Sequence, residues 1–165
     1  MTFWKLQTLL LTLTICTGCG QSTGDQKYKN EMTVSTDLNG LKNVINLDAY
    51  EPQQVAWKYW RVGSDNNSRL SVPGPSDYAL QAALYFDNQT IERIKNDYLL
   101  LSVNLMNLNK DAYKFDWLTK DKIEQVESYD SFDYDPYFFQ KGGLKNGGFI
   151  ILDEQIILLY VFTTR

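Results

Sequence analysis

The order of apolar and polar positions divides the chain into a leader, a polar stretch and a folded body. An apolar run from Leu6 to Ile15 comes first, and Gly20 to about Asp37 then offers only Tyr28, Met32 and Val34 as sizeable apolar side chains. Beyond it, Leu38, Leu41, Val44, Ile45 and Leu47 recur at a spacing that predicts a short helix. Pro52 precedes Val55 to Val62, where Trp57, Tyr59 and Trp60 give the β-branched and aromatic character of a strand, with Lys58 and Arg61 among them. A polar turn over 63–68 and a rigid Pro73-Gly74-Pro75 bend follow. Tyr78, Leu80, Ala82, Leu84 and Phe86 then alternate as a strand with one apolar face does.

From Asn88 the period becomes helical, with Ile91, Ile94 and Tyr98 on one face and Thr90 as the N-cap. The pattern predicts helix to about Asp97 and then a strand through Leu99, Leu101, Val103 and Leu105. Phe115 and Trp117 are expected core anchors. Thr119 is the expected cap of a second helix that carries Asp121 in its first turn and buries Ile123 and Val126. Gly142, Gly143, Gly147 and Gly148 predict a loose, turn-rich segment before a hairpin of Phe149–Leu152 and Ile156–Phe162, joined at Asp153-Glu154-Gln155. Both faces of that hairpin are apolar. Its strands are therefore expected at the centre of the sheet, with helices on one face and a second layer, a partner chain or the tether on the other. The expected fold class is α+β: a mainly antiparallel sheet with two or three short helices packed on it, the C-terminal hairpin central.

Composition removes several kinds of chemistry. The 165 residues include no His, and both cysteines, Cys16 and Cys19, lie at the end of the leader. A Ser/His/Asp or Cys/His triad and an imidazole or thiolate zinc site are therefore excluded from the folded body. The formal charge is −4, and loss of Lys5 with the leader makes it more negative. No basic stripe suited to phosphates is present, which argues against a nucleic-acid partner. Lys27 and Lys29 alternate with Asp25 and Glu31, so anionic lipid gains little attraction from this stretch.

The segment Leu13-Thr14-Ile15-Cys16-Thr17-Gly18-Cys19, after a short apolar run behind a single Lys5, resembles the signal of a bacterial lipoprotein precursor. Thr17 and Gly18 fit the two small positions before the cysteine; Cys16 stands where the family usually has Leu. The resemblance covers only residues 1–19 and implies cleavage before Cys19, with a lipid thioether on that residue. It divides the chain into a signal peptide, 1–18, a lipidated flexible tether, 19–37, and a single globular domain, 38–165. Gly20 and Gln21 after the cysteine imply an outer-membrane location, periplasm-facing or surface-exposed, where the cell has an outer membrane, and the cell membrane otherwise.

Candidate chemistry concentrates between Tyr129 and Phe139, where carboxylates alternate with rings. Asp130, Asp133, Tyr134, Asp135 and Tyr137 form a candidate partner surface; the same carboxylates suggest hard-oxygen ligation of calcium, although the spacing of an EF-hand loop is not kept. The plainer reading is a loop pinned by its rings with its carboxylates in water. Asp77 is a further acidic candidate, alongside the commoner role of bonding turn amides. The expected function is a membrane-anchored envelope lipoprotein whose non-enzymatic domain binds an unidentified protein, as an assembly, inhibitor or immunity factor would, with no cofactor. A glycan, peptidoglycan or calcium-binding module is the alternative. A small hydrolase using a carboxylate pair such as Asp77 and Asp135 is the second alternative.

Overall fold

The computed structural model describes residues 33–62, 77–101 and 114–163. The leader, Cys19, the tether to residue 32, the turn at 63–68, the Pro73-Gly74-Pro75 bend and the strand expected through Val103 and Leu105 lie outside the described residues. Among those described, β1 (Gln54–Val62), β2 (Asp77–Tyr85), β3 (Leu144–Leu152) and β4 (Ile156–Thr163) form one antiparallel sheet in the order β1-β2-β4-β3. Helices α1 (Leu38–Val44), α2 (Asn88–Leu99) and α3 (Lys120–Glu127) and a short 3₁₀ helix (Tyr137–Phe139) pack on it. The class is α+β, as the sequence pattern predicts.

Register explains why both faces are apolar. One row across the sheet runs Trp57, Ala82, Leu159, Phe149; the adjacent row, pointing the other way, runs Ala56, Ala83, Leu158, Ile150. The first face, with Leu80, Leu84, Ile157 and Val161, is covered by Leu41 and Ile45 at α1, Ile91, Ile94 and Tyr98 of α2, and Phe139. The second face, with Leu152 and Ile156, is covered by Phe115, by Val126 of α3 and by Phe132. Each large side chain so buried stabilises the fold by about 1.5–3 kcal/mol relative to exposure. The second layer needed by the hairpin is thus α3 and the segment before it.

Several expectations change. The strand read as having one apolar face, β2, is buried on both, because Ala79, Gln81 and Ala83 are also enclosed. Small alanines leave room for α3's layer. Gln81 is accommodated because its Nε2 donates to the Lys114 carbonyl at 3.1 Å and its Oε1 accepts from the Trp117 indole at 3.2 Å. The cap of α2 is Asp87, not Thr90: the Asp87 carboxylate accepts from the Thr90 amide at 2.7 Å and from its hydroxyl at 3.0 Å, so the helix starts before Thr90. It also runs past Asp97 to Leu99, where Leu99 and Leu100 face solvent. Thr119 does occupy the N-cap of α3, without a side-chain bond.

Gly147 and Gly148 belong to β3 rather than to a loose turn. Gly147 has φ +124°, and a Cβ there would lie 1.9 Å from the Tyr160 carbonyl oxygen; a Cβ on Gly148 would lie 2.4 Å from the Phe132 ring. These glycines admit close approach within a strand. Of the hairpin strands, β4 lies between β2 and β3, and β3 borders the sheet. The hairpin turn places Asp153 and Glu154 at φ 51° and 56°, the left-handed region, while Gln155 donates to the Leu152 carbonyl at 3.2 Å. Lys122 and Gln125 of α3 hold the Asp153 carboxylate.

Candidate functional site

The acidic and aromatic segment passes around the outer edge of β3. Phe132 packs on the second face, over Gly148, and Tyr134 packs on the first, stacked on Phe149 at a centroid distance of 4.9 Å. Between them the main chain pairs with the edge: the Phe149 amide donates to the Tyr134 carbonyl at 2.9 Å, and the Tyr134 amide returns a bond at 3.2 Å. At Ile151, the carbonyl accepts from the Tyr129 hydroxyl at 3.1 Å and the amide donates to the Asp133 carboxylate. Farther along, Gln140 donates to the Lys145 carbonyl at 2.9 Å. The alternation of rings and acids is thus the pattern of a strap, with rings entering both cores from a single edge.

Aromatic packing fixes the strap on the first face. Tyr98 meets Phe138, Phe149 and Tyr134 edge-on at 4.8, 5.2 and 5.3 Å, and Phe139 meets Phe149 at 5.6 Å. The Tyr98 hydroxyl accepts from the Phe138 amide at 3.3 Å, and burial pushes its pKa well above that of a free phenol. Tyr50 meets Phe138 at 5.3 Å and donates to Asp97; burial and then that bond push its hydroxyl up to about 12.

The candidate residues therefore divide. Tyr134 is half-buried in the core, whereas the Tyr137 ring is 55% exposed. Asp130 and Asp133 lie on the surface and Asp135 is half-buried. Desolvation raises the pKa of Asp133 and Asp135, against the opposing pull of the Ile151 and Tyr137 amides respectively. Each carboxylate thus serves its own amide. Among the described residues no group of three or more acidic or other ligating side chains is placed to hold a metal ion. Asp77 opens β2 opposite Val62, two strand positions away from the β3 edge where Asp135 lies, so this pair does not share a cleft.

The opposite edge is built differently. Ser35 covers the outer side of Trp57 with two bonds of 2.8 Å, one in each direction, and the Trp57 indole donates to the Asp37 carbonyl at 3.0 Å. Residues 33–37, assigned to the tether by composition, thus include a contact with the sheet. Because backbone groups alternate in direction along a strand, the amides and carbonyls of Tyr59 and Arg61 also point outward. No described residue bonds to them. Tyr59 is 40% and Val62 43% exposed, and Arg61 is exposed. Tyr59 stacks on Tyr78 at 5.3 Å and 10°, which holds its ring over the first face; Trp60 turns to the second, 6.5 Å from Tyr160. Lys58 is engaged by Asp116 at 3.0 Å.

Such an edge can form main-chain hydrogen bonds with an added strand. The sequence marks Val55 to Val62 as core or edge packing, but strand order decides that its outer side stays open, and no local pattern encodes that order. Comparison with known proteins finds no matching family model, no similar curated protein and no similar solved structure.

Proposed function

We propose that this chain is an envelope lipoprotein, anchored through lipid on Cys19 at the outer membrane or, in a cell without one, at the cell membrane. Its folded domain binds a partner protein and catalyses no reaction. The lipoprotein-like signal and the lack of histidine and thiol in the body support the anchor and the non-enzymatic role. The single observation that carries partner binding is the open outer edge of β1 from Tyr59 to Val62, beside the point where the chain enters the domain. On this reading the Asp130–Tyr137 strap serves mainly to close the other edge, and Tyr137 is the one ring it offers to a partner.

Fractionation and crosslinking in cells test the two halves separately. The intact protein should sediment with membranes and incorporate labelled palmitate, and Cys19→Ser should abolish both; a Cys19→Ser protein that stays in the lipid pellet would sink the anchor. A photo-crosslinker at residue 59 should trap a defined protein, while one at Glu127, on the outside of α3, should not. Equal trapping at both positions would count against the edge.

A further inference from the structure

We infer that the open stretch of β1 receives an extended segment of another protein as a fifth strand, one that carries a carboxylate opposite Arg61. The inference rests on the partner-binding reading above and specifies how the partner is held.

The geometry limits the occupant. Ser35 already holds the outward groups of Trp57, so the free column begins at Tyr59 and offers the amides and carbonyls of Tyr59 and Arg61. A lipid surface satisfies neither, since hydrocarbon supplies no hydrogen-bonding groups to a strand edge. A second copy pairing about a two-fold axis must match outward residue to outward residue. Tyr59 opposite Tyr59 would set Arg61 of the second copy against Trp57, which Ser35 occupies. Tyr59 opposite Arg61 would bring Val62 of the second copy beside Lys58, in the column that Val34 and Ser35 enter. Arg61 opposite Arg61 fits the free column but sets two guanidinium groups face to face, and like charges directly opposite destabilise a pair. Each self-pairing register of these described outward residues meets an obstruction or a repulsion.

A different chain meets neither. On a protein with formal charge −4, the open stretch presents a cation, and no described carboxylate pairs with Arg61. The added strand would lay its carboxylate beside Arg61 on the first face and an apolar side chain beside Tyr59, whose ring is already held by Tyr78. Its intervening residue would pass over Trp60 on the second face.

A random heptapeptide display library, panned on the intact lipidated protein in detergent, supplies the probe. Enriched sequences should combine Asp or Glu with β-branched or aromatic residues at alternate positions. A synthetic peptide of that sequence should bind wild type and weaken on Arg61→Glu, and a Lys-for-acid peptide should recover binding to Arg61→Glu. Arg61→Pro, which removes an outward amide that no described residue uses, should weaken binding about fivefold beyond Arg61→Ala, the worth of one main-chain hydrogen bond. Enrichment without acidic residues, or binding indifferent to Arg61→Pro, overturns the inference. So does a dimer in sedimentation that Arg61→Pro dissociates, or vesicles of phosphatidylglycerol that protect the Tyr59 amide from exchange. A cellular crosslink from residue 59 that survives Arg61→Pro overturns strand addition while leaving the partner surface in place.

Discussion

The two edges of one sheet receive opposite treatment. At β3 the chain spends a whole segment, Tyr129 to Lys141, on closing the edge: main-chain pairing at Phe149, a phenol and a carboxylate at Ile151, an amide side chain at Lys145. At β1 it closes one position, Trp57, and leaves the next outward residues, Tyr59 and Arg61, without a described partner. Unpaired strand edges invite association, and proteins ordinarily blunt them. Among the described residues, this fold blunts one edge thoroughly and leaves four residues of the other open, with the charge of Arg61 as the protection they carry. That contrast is the physical basis for assigning binding to β1 rather than to the more conspicuous acidic and aromatic segment.

Proline separates the edges most sharply. Phe149→Pro removes an amide bonded at 2.9 Å together with a fully buried ring, and should cost more than about 3 kcal/mol and leave little folded protein. Arg61→Pro should cost less than about 1 kcal/mol, because its outward amide has no partner to lose among the described residues. Urea denaturation of both variants checks the difference, and equal losses would mean the edges are equally engaged.

Phe132→Ala ranks next. Phe132 is buried against Gly148, and its loss should cost about 3–5 kcal/mol if the site does not collapse. It should also release the strap, so that the Phe149 and Ile151 amides exchange faster while β1–β2 amides keep their relative order. Uniform loss of protection would show that the strap is not a separable closure.

A smaller effect is expected at the hairpin turn that ends the closed strand. Glu154 sits at φ 56° without the freedom of glycine, so Glu154→Gly should raise stability by about 0.5–1 kcal/mol, read as a higher thermal midpoint.

The smallest effect is one of pH. Desolvation raises the pKa of Asp133 and Asp135, so their contribution to stability is fully present below the unfolded value of 3.8 and is lost as pH rises through the folded values. Asp87 has the opposite sign. Its bonds from Thr90 lower its pKa, and its contribution is present above 3.8 and lost as pH falls through the lowered value. Acidification should therefore loosen the start of α2 before the strap. Asp133→Asn, which keeps an acceptor for the Ile151 amide, should leave stability at pH 7 undiminished and steepen the loss of stability on acidification, because it removes a contribution that grows as pH falls. A marked loss at neutral pH would show that the carboxylate charge itself holds the edge.

Much of this architecture is legible along the sequence, and the failures have local causes. Strict alternation from Tyr78 to Phe86 marks β2, and the helical period at Ile91, Ile94 and Tyr98 marks α2. The second buried face of β2 is hidden because Ala79, Gln81 and Ala83 are not conspicuously apolar; their burial depends on Phe115 and Trp117 arriving from elsewhere in the chain. Gly147 and Gly148 look like a turn because local propensity cannot show that Tyr160 and Phe132 need the space. The apolar hairpin reads as internal, yet β3 borders the sheet and is enclosed on its outer side by the strap. In the candidate site, the rings and acids from Asp130 to Tyr137 are plain to see. Which rings turn inward depends on the edge they wrap, and the open side of β1 depends on the order of the strands.

Native-state hydrogen exchange on the intact protein, without partner, tests the central claim most directly. The amides of Tyr59 and Arg61 should exchange close to the rates of an unstructured chain, while those of Trp57, Phe149 and Ile151 should be protected by orders of magnitude. Protection of Tyr59 and Arg61 equal to that of Phe149, in protein dilute enough to be monomeric, would contradict it.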